Sequence, residues 1–82
     1  MFPQYRRYKN QKSVFKIISE NEFIEIQQVG KNFFTHTVKA ENYPEKVYIN
    51  DMLNCYEGRW EIITEDEYNH FTSSIKPKIV IR

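Results

Sequence analysis

From Tyr5 onward, short runs of β-branched and aromatic residues alternate with polar breaks, and each run predicts a strand. Residues 14–18 and 23–29 flank Ser19-Glu20-Asn21-Glu22, a polar gap of hairpin length in which Asn21 tolerates a left-handed backbone. Gly30-Lys31-Asn32 then separates 23–29 from 33–40, predicting a second antiparallel hairpin through a short glycine-containing loop. Tyr43-Pro44 restricts the backbone and removes a donor, so a turn is expected before a further strand over 47–53. A last hairpin around Glu57-Gly58 leads into 59–63.

Alternation along these runs assigns faces. Ile24 and Ile26, then Phe34, His36 and Val38, then Val47 and Ile49, then Trp60 and Ile62 are expected to line one inner face. Glu25/Gln27, Thr35/Thr37/Lys39 and Arg59/Glu61 fall opposite, as in a sheet wet on one side.

Thr64-Glu65-Asp66-Glu67 is a helix-start signal: Thr64 accepts from early amides, Glu67 reaches back, and the carboxylates complement the helix dipole. Tyr68, Phe71 and Ile75 recur at i, i+3 and i+7, a narrow apolar stripe that needs a sheet to lie on, and Pro77 stops the helix. Ile79-Val80-Ile81 reads either as a final strand or as a tail able to add to another chain's edge. The expected class is α+β: a mostly antiparallel meander of four to six strands with one C-terminal α-helix, 64–75, on one face. Trp60, Ile62, Tyr68 and Phe71 are expected at the junction.

Composition narrows the picture. No repeat or Gly/Ser-rich linker divides the 82 residues, which read as a single compact domain over 1–82. Six Phe, six Tyr and one Trp must supply much of a small core, since each aromatic buries roughly 150 to 250 Å². Cys55 is alone, so no intrachain disulfide can form, and two histidines without further cysteines do not make a structural zinc site. No metal or cofactor is expected. The first residues carry no apolar signal core, and no run is long enough to span a bilayer, so a cytoplasmic protein with no membrane role is expected.

Charge is sorted along the chain. All eleven acids lie between Glu20 and Glu67; residues 1–19 carry +5, residues 68–82 carry +3, and the middle carries −7. The acids have structural uses in turns, on the sheet exterior and at the helix start. The basic ends do not, which makes Tyr5-Arg6-Arg7-Tyr8-Lys9 the leading contact candidate, together with Phe33 and Tyr48, which with Tyr43 and Tyr56 fall on the outer face or in loops by the alternation. Cations between aromatics suit single-stranded nucleic acid, where stacking contributes about 1 to 3 kcal/mol per base. They equally suit an edge strand kept soluble by Arg and Lys.

No catalytic constellation appears. Cys55 has no neighbouring base, His36 and His70 have no spaced metal partner, and Gly30 and Gly58 are isolated turn residues. A non-catalytic interaction module is therefore expected, with a protein partner or a second copy as ligand and a free strand edge or exposed aromatics as the contact. Single-stranded nucleic acid is the alternative, and a concave site gathering His36, Asp51 and Cys55 would instead favour an enzyme.

Overall fold

A computed structural model describes residues 2–73. Strands β1 (Gln4–Tyr8), β2 (Ser13–Ser19), β3 (Glu22–Val29), β4 (Asn32–Lys39) and β5 (Trp60–Ile62) form one sheet in the order β4-β3-β2-β1-β5. Every neighbouring pair is antiparallel. Two helices, α1 (Tyr43–Leu53) and α2 (Glu65–Ser73), complete the described chain, which is α+β as expected. Neither is long and apolar enough to cross a membrane.

The first two predicted hairpins form. Strands β3 and β4 pair without interruption from Val29↔Asn32 to Glu22↔Lys39, across a two-residue turn whose Gly30 takes φ +63°, a conformation glycine adopts without steric cost. Strands β2 and β3 meet across Glu20-Asn21, with a register shift between Ile17 and Ser19.

The expected strand over 47–53 is instead part of α1. The deciding residues precede it: Asn42 caps the helix, its side chain accepting from the Glu45 amide at 3.4 Å, while the Glu45 carboxylate accepts from the Glu41 amide at 3.0 Å. Pro44, read as a break, sits in the first turn, where the missing N–H has no intrahelical partner to lose. Ile49 and Met52, three apart, then fall on one buried helical face. The hairpin expected around Glu57-Gly58 is absent too, because the segment before that turn is α1 and β5 pairs instead with β1 at the other end of the described chain. A 3-10 turn over Tyr56–Gly58 joins α1 to β5, and Cys55 and Glu57 there take positive φ, a strained backbone for side-chain-bearing residues.

A helix on each side makes the sheet two-faced, so the wet outer face expected from alternation does not exist as such. Phe15, Ile17, Phe23 and Trp60 pack with Ile49 and Met52 of α1. Val14, Ile26, Ile63 and Tyr68 form a second cluster, joined by Tyr5, Ile24, Phe33 and Phe71, beneath α2. Adjacent residues Val14 and Phe15 are both buried because they point to opposite cores. The register also corrects the expected inner face: Ile24 and Ile26 lie opposite Thr37 and Thr35, whereas Phe34, His36 and Val38 lie opposite Gln27, Glu25 and Phe23. Trp60 is buried on the α1 side, away from Tyr68 and Phe71, and Ile62 is 71% exposed; Ile63 makes the contact under α2 instead.

The start of α2 is as expected. The Glu67 amide donates to Thr64 Oγ1 at 3.1 Å and the Thr64 amide donates to Glu67 Oε1 at 2.8 Å. That second bond holds the Glu67 carboxyl below its ordinary range, outweighing an opposing effect of desolvation. A depressed folded value means the contribution is complete above the unfolded value of 4.5 and is lost as pH falls through the folded one. Wild type is therefore expected to lose more stability than Glu67→Ala between about pH 5 and pH 3, measured as the urea midpoint of each protein. Equal losses would remove Glu67 as the cap. Ile75, Pro77 and the 79–81 segment lie outside the described residues.

Candidate functional site

The basic aromatic stretch does not form one surface, because β1 is an internal strand held between β2 and β5. Its side chains alternate between the two cores. Tyr5 packs against Tyr68 with ring centroids 5.0 Å apart and the rings tilted by 46°, and Tyr8 meets Trp60 edge-on at 5.7 Å. Arg7 pairs with Glu61 at 2.7 Å on the surface, and Lys9 is exposed in the following turn.

Arg6, expected among the contact residues, is 3% exposed. Its guanidinium donates from Nε to the Met52 carbonyl at 2.9 Å and from Nη2 to the Leu53 carbonyl at 3.0 Å, the last carbonyls of α1. The same group donates to the Tyr5 carbonyl and to Gln4 Oε1. A helix leaves its final carbonyls without intrahelical donors and carries partial negative charge there, so a buried arginine fork satisfies both needs. Arg6 is thus an internal cap on α1.

Phe33 and Tyr48, the remaining expected contact residues, are drawn into aromatic packing. Phe33 of β4 meets Phe71 at 5.8 Å; Tyr48 of α1 meets Phe15, Phe23 and Trp60. Tyr48 keeps part of its ring in solvent, yet burial, with the nearby Glu25 carboxylate second and Tyr8 third, pushes its hydroxyl up to about 12. Tyr43 and Tyr56 are exposed, as expected. His36 lies mid-strand in β4, Asp51 in α1 and Cys55 in the turn after it.

The surface that remains is the outer side of β4. In the antiparallel β3–β4 pair, backbone polar groups of alternate residues face the partner strand, and the Ala40 amide donating to the Asn21 carbonyl at 2.6 Å identifies the even-numbered positions as the inward ones. The amides and carbonyls of Phe33, Thr35 and Thr37 therefore point away from β3. Among the described residues no strand pairs with that side. Eight residues long, without proline and paired to β3 in continuous register, β4 carries a single charge, Lys39, at its end. Short length, bulges, proline and central lysines are the usual means of blunting an edge, and β4 has none. The opposite edge, β5, has three residues and is blunted by length.

Why the two edges differ follows from local sequence. The paired aromatics and β-branched residues of Asn32–Lys39 favour an extended chain over the full hairpin, whereas β5 is hemmed in by the 3-10 turn and by Thr64 opening α2. Comparison with protein-family models, curated proteins and solved structures finds no match to this chain.

Proposed function

We propose that this chain acts by association rather than catalysis, and that its first partner is a second copy joined through β4. The regular, unblunted eight-residue edge carries this reading. Two β4 strands related by a two-fold axis perpendicular to the sheet run antiparallel and keep like faces on the same side, so ten strands become one sheet. Main-chain bonds at Phe33, Thr35 and Thr37 supply affinity, and the half-buried Phe33, Phe34 and Val38 of each copy supply cross-strand packing. The chain's formal charge of +1 offers little net repulsion between copies.

Sedimentation velocity over a concentration series tests this. The wild-type chain is expected to shift from monomer to dimer, and Thr37→Lys, which places a cation at an exposed outward position, is expected to remain monomeric with an unchanged circular dichroism spectrum. A wild-type protein that stays monomeric at the highest attainable concentration removes the proposal. So does a dimer that Thr37→Lys leaves intact.

A further inference from the structure

A second feature, separate from the β4 edge, lies where α1 stops covering its face of the sheet. A cavity of about 200 Å³ opens there, floored by Phe15 and Glu25 and walled by Tyr8, Tyr48 and Trp60. Trp60 is the chain's sole tryptophan, 4% exposed, and both tyrosine rings stand nearly perpendicular to it, at 74° and 79°, with centroids 5.7 and 5.6 Å away. Two tyrosine rings thus stand nearly perpendicular to the indole beside one small space.

Glu25 at this cavity and the indole nitrogen of Trp60 lack hydrogen-bond or ion-pair partners among the described residues. The Trp60 indole nitrogen, buried behind the ring surface, also donates to no oxygen or nitrogen there. The half-buried Glu25 carboxylate takes part in neither of the two ion pairs, Arg7–Glu61 and Arg59–Glu57. Arg59 also lines the cavity, but its charge is matched by Glu57 at 2.8 Å, and its guanidinium lies 5.6 Å from the Tyr56 ring centre. The uncompensated charge is negative.

Aromatic faces attract cations through the ring quadrupole, and a neighbouring carboxylate adds to that attraction. The volume is below the roughly 300–1,000 Å³ of sites that enclose a whole drug-sized molecule, so it suits a head group whose remainder stays in solvent. We infer that the cavity of Tyr8, Tyr48, Trp60 and Glu25 binds an organic ammonium head group. The rings border the cation and Glu25 balances it. Such a head group occurs on free small amines and on lysine side chains; the ammonium chemistry recognised is the same.

The lone tryptophan provides the readout, because an isotopically labelled chain gives a single indole N–H resonance. Choline is the first probe, with its uncharged isostere 3,3-dimethylbutan-1-ol as the matched control, each titrated into the full chain at constant ionic strength. Choline is expected to move the Trp60 indole signal saturably, and the isostere to bind roughly tenfold more weakly, the range expected of a cation–π contribution. Glu25→Gln is expected to weaken choline by a comparable factor while leaving the amide spectrum dispersed. Nα-acetyl-lysine amide and its Nε-trimethyl form make up the second arm, and whichever class binds more tightly identifies the source. No saturable shift with any of these ammonium probes overturns the inference, as does equal binding of the isostere by wild type, a comparison that needs no variant to fold. None of these results depends on whether β4 pairs.

Discussion

Arg6→Ala is expected to destabilise the protein by about 2–4 kcal/mol, whereas Arg7→Ala, one residue on, is expected to cost less than about 1 kcal/mol. The difference follows from burial and partners rather than residue type. Arg7 forms a single pair with Glu61, both side chains substantially in solvent, where Coulomb attraction is screened and side-chain entropy opposes it. Arg6 is enclosed, and its loss strands the Leu53 carbonyl, leaves the Met52 carbonyl with only the Cys55 amide, and opens a space beneath the helix. Removing a buried charge recovers its desolvation cost, which is why the expected loss is well below the sum of four charge-assisted bonds. For a domain of this size the change corresponds to a fall in Tm of more than about 10 °C. Arg6→Lys keeps the charge without the planar fork and is expected to fall between wild type and Arg6→Ala. Thermal or urea unfolding of the three variants decides the matter, and an Arg6→Ala protein as stable as Arg7→Ala would contradict the capping role.

A paired proline substitution in β4 is expected to separate folding from association. Thr35 directs its amide outward, so Thr35→Pro removes a donor that the monomer does not use in the ladder; a loss of roughly 1–2 kcal/mol is expected, with self-association abolished. His36 directs its amide toward β3, so His36→Pro breaks a ladder bond and is expected to cost about 3 kcal/mol or more. Adjacent positions thus give opposite outcomes: a folded monomer and a largely unfolded chain. Dimerisation surviving in Thr35→Pro would place the contact elsewhere.

Much of the sheet was legible because its signals are local. Gly30-Lys31 marks one turn, Asn21 lies in another, and Thr64 with Glu67 marks the start of α2, each needing only a few neighbouring residues to act. Helix α1 was harder because its signals conflict. Val47 and Ile49 favour a strand, Pro44 means either a stop or a first turn, and Asn42 with Glu45 decides between them. The two-faced sheet was hidden by a related ambiguity: alternation identifies two sides but not whether a second helix covers the other one.

The contact residues were the least legible. Nothing in Tyr5-Arg6-Arg7-Tyr8-Lys9 says that β5, more than fifty residues later, closes over its far side, and only that pairing turns an apparent edge into the middle of the sheet. Arg6 in particular looks like a surface cation until α1 exists to be capped, because its partners are backbone carbonyls with no sequence signature. The β4 edge was legible as a strand but not as an edge, since strand order is a property of the assembled sheet. Glu25 likewise appeared solvent-facing, and only the packing of Tyr48 and Trp60 beside it makes it part of a cavity.

The central claim, that β4 is the contact edge, is tested most directly by amide hydrogen exchange across a concentration series. The amides of Phe33, Thr35 and Thr37 are expected to exchange quickly in dilute protein and to gain protection as dimer forms, while Phe34 and His36, already bonded to β3, change little. Association that leaves Phe33, Thr35 and Thr37 unprotected would contradict the account.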